Sequence, residues 1–573
     1  MNRLGWLGTD APPPEKAPTQ ETVSPAEDAP ASEKPPPQVP EVSETRGEPV
    51  DPVREPARRG PRQTGQIPAR TPSDENLLTM ASADYAEFHI SPDLGGILRA
   101  TLLRYRSADR QSIKKIGTGD LPFCTLVSGN RQNGLETPTV TAASESRVTL
   151  ERRSADGTVV VQETWEADPQ RPYQVHYSAR FRNEGKSPLD LGRYLLACGS
   201  IAPESGGDRS RLARAGAISL AVDVAFARQD QPENFTVKDV RKMDDDEATE
   251  LERRRINWLA VHSKYFLFYL RPENDPLHGC WLEASPEDQE GKDTIWAYAG
   301  LDGRTVQPGS ETVLDFTAYG GPKKYNLLKE MGGGIESVMR LNLFLFFHPR
   351  WMGWITKRIL QALVTLNDFF NHRWGYGFAI VVITIVIKML FWPLTHRSTV
   401  SMRKMQKIQP QIKEIREKYK DQPQKMQQKT MELYREYGVN PMGGCLPILL
   451  QIPVFFALFN TLRGAIELRH ASFLWVHDLS MPDTLPFEPF GLPVRPLAIF
   501  MGVSMLAQQH MMPTSADPQQ KKVMTFMSLF FIVILYGMPA GLTLYWSVNQ
   551  VLTIVQNIIS RKLEKSGETG AAA

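Results

Sequence analysis

From Gly375 to Trp392 the chain reads GYGFAIVVITIVIKMLFW, 18 residues with one charged side chain, Lys388. A helix that crosses a bilayer needs about 20 mostly apolar residues, with a working range of about 17 to 25, so this run is predicted to span. Four more apolar runs follow, at about Gly443–Leu462, Val494–Met512, Val523–Gly537 and Ala540–Ile559. The fourth span is short. The last two flank Met538-Pro539 and predict a helical hairpin with a tight turn. The whole-chain mean hydropathy of −0.32 conceals these runs, because it averages them with a polar, Pro-rich first part.

Upstream the pattern is different. Ala11 to Ser73 is rich in Pro, Glu, Ala, Ser and Arg and poor in aliphatic residues. Such a stretch buries too little apolar area to offset its ordering entropy, which predicts a disordered linker. From Asn76 to Tyr319 short segments alternate apolar and polar residues, among them Ala86-Glu-Phe-His-Ile, Arg147-Val-Thr-Leu-Glu, Thr158-Val-Val-Val-Gln-Glu-Thr-Trp and Tyr173-Gln-Val-His-Tyr-Ser-Ala-Arg-Phe. Many short antiparallel strands of this kind predict one large β-sandwich. Between Leu341 and Phe370, Trp351, Ile355, Ile359, Ala362, Leu363, Leu366 and Phe370 recur at helical spacing, with Lys357, Arg358, Gln361 and Asp368 between them. That pattern predicts an amphipathic helix lying in the headgroup plane. The expected organisation is a linker at 1–75, a β-sandwich-like domain at 76–320, a connecting and interfacial helix at 321–373, a five-span α-helical core at 374–562 and a disordered tail at 563–573.

Within that core, 396–441 is too polar to span. Met402, Met405, Ile408, Ile412, Ile415 and Tyr419 form one apolar face, Asp421-Gln-Pro423 interrupts it, and a second helix ends at Tyr437 before Gly438. The segment predicts a helical hairpin outside the bilayer. Its Lys and Arg outnumber its Asp and Glu, and Lys521-Lys522 and Arg561-Lys562 fall on the same side. By the positive-inside rule this side is cytoplasmic. The C-terminus is then cytoplasmic and the β-rich domain external. An external domain needs an export signal, and Met1–Asp10 supplies none. The native product is therefore expected to start upstream with an extra apolar segment. Cys124, Cys198, Cys280 and Cys445 form no CxxC pair, so no zinc or redox motif is visible, and spacing alone does not fix a disulfide.

No catalytic constellation, phosphate loop or metal-ligand spacing appears, which predicts a protein that is not an enzyme and needs no cofactor. The unusual chemistry is polar groups at membrane depth. Lys388 has two readings. An intramembrane ammonium is costly and by default faces a bundle interior or water-filled recess. Alternatively it snorkels, since Trp392 is about 6 Å further along the helix. Thr384, Gln451, Asn460, Gln508, Gln509, Thr543, Ser547, Asn549, Gln550, Gln556 and Asn557 accompany it. Singly they read as glue between helices; together with Lys388 they could line a hydrated recess. Pro447 and Pro453 predict kinks in the second span.

The order and spacing of several motifs resemble the YidC-type membrane protein insertases. They are Trp374-Gly through Lys388-Met-Leu-Phe-Trp-Pro-Leu-Thr395, Asn440-Pro-Met-Gly-Gly-Cys-Leu-Pro447, Gln451-Ile-Pro-Val-Phe-Phe-Ala-Leu458, Glu467-Leu-Arg-His-Ala-Ser-Phe473, His477-Asp-Leu479, Met524-Thr-Phe-Met527 and Pro539-Ala-Gly-Leu-Thr-Leu-Tyr545. The resemblance covers about Gly320 to Lys565. The β-rich domain more loosely resembles the large periplasmic domain of Gram-negative members.

The resemblance implies a multi-pass protein of the cell inner membrane with its β-domain in the periplasm. It also implies a hydrophilic groove open to cytoplasm and lipid. The family's groove arginine falls on Lys388, its groove threonine on Thr384 and an aromatic pair on Tyr545 and Trp546, with Gln451 and Pro453 as further groove residues. Lys388 keeps the charge of the arginine and lacks its guanidinium fork. The implied partners are nascent membrane proteins and the lipid bilayer, with the Sec translocon, the ribosome and the signal-recognition machinery as further candidates and no specific nucleic-acid site. The expected function is an insertase and chaperone for integral membrane proteins, acting alone or with the Sec translocon. Two other classes compete with it: a membrane-anchored assembly scaffold and a small-solute transporter. The absence of two matching broken helices weighs against the transporter.

Overall fold

A computed structural model describes residues 76–108, 110–118, 120–128, 134–201, 223–228, 231–285, 294–301, 303–341, 350–370, 374–439, 446–485, 487, 493–511 and 518–571. The predicted linker at 1–75 and the motif at 440–445 lie outside them.

The alternating segments are strands. Gln174–Asn183 and Val159–Ala167 send every second side chain inward over most of their length. A nine-stranded antiparallel sheet runs in the order Gln231–Thr236, Asp223–Arg228, Trp258–His262, Phe266–Pro272, Glu311–Pro322, Gln174–Asn183, Val159–Ala167, Arg147–Arg153, Thr139–Ala143. An eight-stranded sheet is built around Ile97–Arg106 and Phe123–Ser128. The inner faces meet in an aromatic core in which Phe123 stacks on Phe268 at 4.6 Å between ring centres. Cys124, Cys198 and Cys280 are buried free thiols.

One inward position is charged. Glu163 is 0% exposed and takes 2.5 Å and 2.8 Å hydrogen bonds from Arg152 Nε and the Tyr177 hydroxyl. A second charged group is buried beside the last strand of the sandwich. Lys323 Nζ donates to the Ser263 carbonyl at 3.1 Å and lies 3.4 Å from His262 Nδ1, while Asp223 nearby pairs with Arg340 at 3.3 Å. Burial lowers Lys323 to about 7, with Asp223 opposing the fall and Arg340 adding to it. The unfolded chain thus binds more protons between about pH 7 and the ordinary lysine range near 10. Stability from this group therefore rises as pH rises through that window and is lost as pH falls through it. Lys323→Met is expected to remove that slope and to stabilise the chain at pH 7 by a few kcal/mol, on the order of 1.4 per pH unit of window removed. Chemical unfolding of the detergent-solubilised chain at pH 7 and pH 10 checks this. An unchanged slope would mean that the amine stays charged when buried.

The C-terminal part is helical. Among the described residues, three short helices lie within or just after the sandwich: α1 (Val237–Lys242), α2 (Asp245–Arg253) and α3 (Tyr325–Met331). Eight more are α4 (Arg350–Phe369), α5 (Gly375–Lys407), α6 (Gln409–Lys418), α7 (Pro423–Glu436), α8 (Leu446–Gly464), α9 (Pro496–Met511), α10 (Pro518–Tyr536) and α11 (Ala540–Ala571). Among the described residues, Gly375–Met405 is long and apolar enough to cross a membrane, and Leu449–Gly464 is a shorter apolar helix.

Three features differ from the sequence reading. The buried face of α4 is Met352, Thr356, Leu360, Leu363 and Asn367, which leaves Trp351 and Trp354 exposed. Thr461 Oγ1 donates to the Thr356 carbonyl at 3.3 Å, so packing on α8 sets that face. Second, α5 does not stop at Trp392 but continues through Pro393 to Lys407. Pro393 removes the donor to the Met389 carbonyl four residues earlier, while the Thr395 hydroxyl makes ordinary back-bonds to the Phe391 and Trp392 carbonyls at 3.0 Å each. The break comes at Ile408, just before Pro410 in α6. Met405, Ile408 and Ile412 pack with Leu433, Tyr434 and Val439, and Gly438 turns the chain with φ +60°. Third, α11 runs to Ala571 rather than ending near Lys562, consistent with the helix formers Arg561-Lys-Leu-Glu-Lys565.

Candidate functional site

Helices α5, α8, α9, α10 and α11 expose large apolar side chains and bury polar ones among them. Val386, Leu390, Val503, Phe526 and Val533 are exposed, while Thr384, Ser547, Asn549, Gln550, Gln556 and Asn557 are buried. A water-soluble fold buries apolar side chains and exposes polar ones. The reverse suits a bundle surrounded by hydrocarbon with polar groups inside.

A narrow cleft lies among three of these helices. Thr384, Ile387, Lys388, Phe391 and Thr395 line it from α5, Leu450, Gln451 and Val454 from α8, and Tyr545 and Asn549 from α11. Thr384 and Lys388 share a face because four residues separate them. The Thr384 hydroxyl donates to the Ile380 carbonyl at 2.6 Å, so its lone pairs remain available to the cleft. The Tyr545 hydroxyl hydrogen-bonds the Gln451 side chain.

Lys388 is half-buried, and its ammonium donates to Thr553 Oγ1 at 2.7 Å and to Asn549 Oδ1 at 3.2 Å. Both acceptors are neutral. Among the described residues no carboxylate lies within ion-pair distance of Lys388. The side chain thus bonds across to α11 while its charge remains unmatched. The polar seam continues along the same two helices: Gln556 bonds Thr395, His396 Nδ1 lies 3.1 Å from Ser560 Oγ, and Arg403 donates to the Asn557 carbonyl at 3.2 Å.

The fold therefore brings Lys388, Thr384, Gln451 and Tyr545 to one cleft. Pro453 and Trp546 are not among its lining residues. Pro453 sits inside α8. Trp546 packs edge-on to Phe455 at 5.1 Å and stacks on Phe531 at 6.0 Å between ring centres. Successive residues on a helix point about 100° apart, so Tyr545 and Trp546 face different neighbours. Thr553, a partner of Lys388, and the cleft residues Phe391 and Thr395 were not singled out from sequence. Thr553 lies one turn beyond Asn549, the i+4 signal that could have found it.

The opposite end of α5 is covered by residues 465–484. A Cβ on Gly377 would lie 2.2 Å from the Phe473 ring, so only glycine lets that ring pack there. The loop carbonyls of Met481 and Leu479 accept from the Ala540 and Gly541 amides at 2.8 Å each, capping the start of α11. The loop is also tied to the sandwich. Arg469 donates to the Arg106 carbonyl at 2.5 Å, and Arg110 Nε donates to His470 Nδ1 at 3.2 Å.

Comparison with known proteins bears on this arrangement. Residues 366–567 match the family described as 60Kd inner membrane protein, and residues 127–361 match the YidC periplasmic domain. A protein named membrane protein insertase YidC from Pelobacter propionicus is 40% identical over 319 residues, which cover 55% of this chain and 56% of that relative. One of the same name from Geotalea uraniireducens is 31% identical over 439 residues, covering 76% of this chain and 75% of the relative. The chain spans a little over half the length of the first of these relatives. A solved structure titled as an active YidC insertase with the first transmembrane domain resolved is 21% identical and covers 84% of this chain and 93% of its own, with a TM-score of 0.34.

Proposed function

This chain belongs to the YidC family of membrane protein insertases, and from that premise we propose that it inserts and folds integral membrane proteins in the inner membrane without enzymatic chemistry. The observation that carries the proposal is the unmatched ammonium of Lys388 in a cleft walled by apolar helices. A polar segment entering a bilayer loses its hydration at a cost of several kcal/mol per group. A half-buried cation with neutral partners offers an acidic segment an attraction that lipid does not. Thr384, Gln451, Tyr545 and Asn549 supply hydrogen-bonding groups beside it. The apolar part of a client then leaves along the exposed apolar faces of the helices.

In this reading the five apolar helices α5, α8, α9, α10 and α11 span the membrane. The α6–α7 hairpin and the C-terminus are cytoplasmic and the sandwich is periplasmic, as the lysine and arginine bias supports. Nascent membrane proteins are the clients, and the Sec translocon and the ribosome are candidate partners.

Photocrosslinking during insertion tests the reading. A probe at Thr384 or Gln451 is expected to capture a nascent client in cells inserting one, and a probe at the sandwich residue Glu145 to capture none. Absence of adducts at both cleft positions would reject the cleft as the client path. Accessibility of a cysteine at Lys425 from the external side would reverse the orientation.

A further inference from the structure

Leu474 and Trp475 form the tip of a two-residue turn in the loop that covers the outer end of α5. The turn is closed on both sides, because the Phe473 and Val476 amides each donate to the other's carbonyl at 2.9 Å. Leu474 takes a φ of +52°, a conformation that branched and bulky residues rarely adopt. The two tip side chains nonetheless turn away from the protein, Leu474 with 76% of its surface exposed and Trp475 with 46%. Glycine or asparagine would suit this backbone better in water.

The tip is also held rigidly. The Trp475 indole N–H donates to the Asp483 carboxylate, and Asp483 in turn accepts from the Leu497 amide at 2.5 Å, at the start of α9. The polar edge of the ring is thereby satisfied inside the protein and its apolar body is left outside. Phe473, the residue before the tip, packs over Gly377 in the first turn of α5, and the Ser472 carbonyl lies against Gly375. The tip therefore sits level with the end of the longest apolar helix. Trp374, also exposed, lies at the same level and packs against Phe378 at 5.2 Å.

We propose that the Leu474–Trp475 turn is a membrane anchor that inserts into the headgroup and upper acyl region of the outer leaflet. The inference rests on the orientation given above, in which this end of α5 faces the periplasm. The occupant is lipid, because the tip lies beside the exposed Trp374 at the end of α5, the helix that is long and apolar enough to cross a membrane. A leucine and a tryptophan at an interface place an apolar wedge and an amphipathic ring where each is most stable. The turn then holds the covering loop at a fixed depth and keeps it against the ends of α5 and α11.

The test uses the full chain in vesicles of phosphatidylcholine and phosphatidylglycerol. An environment-sensitive fluorophore is placed by Leu474→Cys in a Cys445→Ser background, the other cysteines being buried. Lipids carrying a quencher at the headgroup or at increasing acyl depth then read its position. The expected result is blue-shifted emission quenched most by shallow acyl quenchers, at a depth of roughly 5–10 Å. A fluorophore at Glu145→Cys is expected to stay unquenched. Emission at Leu474 that matches the Glu145 control, unquenched by any lipid, would overturn the anchor. The orientation is read separately from a label at Lys425→Cys in sealed vesicles of known sidedness. A misplaced label there would reject the topology, whereas correct placement with an unquenched tip would reject the anchor alone. Trp475→Ser in the labelled chain is expected to move the emission towards that of the control.

Discussion

Lys388→Ala is expected to cut insertion of clients with acidic external segments by roughly 30-fold, while Lys388→Arg keeps most of the activity. The size follows from Coulomb's law: two unit charges about 8 Å apart at an effective dielectric near 20 attract by about 2 kcal/mol, which is roughly 30-fold at 1.4 kcal/mol per factor of ten. Clients whose external segments lack carboxylates are expected to change little. Lys388→Gln separates charge from polarity. It can still hydrogen-bond Asn549 and Thr553, so retained activity would show that a polar cleft suffices and would reject the role given to the charge. Raising the ionic strength is not expected to mimic the substitution, because a half-buried pair is screened less than an exposed one. Depletion of the native protein, complementation with each variant and a protease-protection assay of matched clients provide the measurement. Should Lys388→Ala insert every client normally, the side chain is a snorkelling anchor and the cleft reading fails.

The second large effect is expected far from the helices. Arg152→Met leaves Glu163 without its cation in the core of the sandwich, where Tyr177 remains its hydrogen-bond donor. Breaking one side of a buried pair costs about 3–5 kcal/mol. For a domain of this size that lowers the melting temperature by roughly 6–20 °C. Replacing both partners, Arg152→Met with Glu163→Met, is expected to recover much of the loss, since the isolated charge is then gone. Hydrogen exchange of the strand Val159–Ala167 in the solubilised chain reads the stability locally. Equal protection in wild type and Arg152→Met would show that the domain does not depend on the pair.

The contrast between these two sites explains what could be read from the sequence. Strands were legible wherever side chains alternate, as at Tyr173–Phe181, because one face must be buried and the other solvated. Glu163 follows the same alternation and sits at an inward position, but a carboxylate in that register looks like an interruption until Arg152 is seen across the sheet. Their pairing depends on strand register, which local sequence does not carry. The continuation of α5 beyond Pro393 was hidden for a related reason: a proline after an apolar run ordinarily ends a helix, and the contacts of the following turns with α11, Gln556 on Thr395 and His396 beside Ser560, are not local in sequence. Within the cleft, Thr384 and Lys388 could be aligned in advance because helical spacing fixes which residues share a face. Asn549 and Thr553 could be aligned with each other in the same way. That the two pairs meet depends on how α5 and α11 pack, and that information is three-dimensional. The same argument separates Tyr545 from Trp546: adjacent in sequence, they diverge by about a quarter turn or more on a helix and face a cleft and an aromatic cluster respectively.

The loop at 465–484 is fastened on three sides: beneath by Phe473 on Gly377, at one flank by the start of α11, and above by the Arg106–Arg110 hairpin of the sandwich. In the proposed orientation this has an electrical consequence. A polar cleft in an energised membrane is a conduction hazard, since water continuous from one face to the other would pass protons and ions. With its outer end fixed in this way, the polar cleft remains a dead end. Were the cleft hydrated from its other end, the membrane voltage would fall mainly across the stretch between Thr384 and the loop, which would concentrate the field where an acidic client segment is proposed to cross.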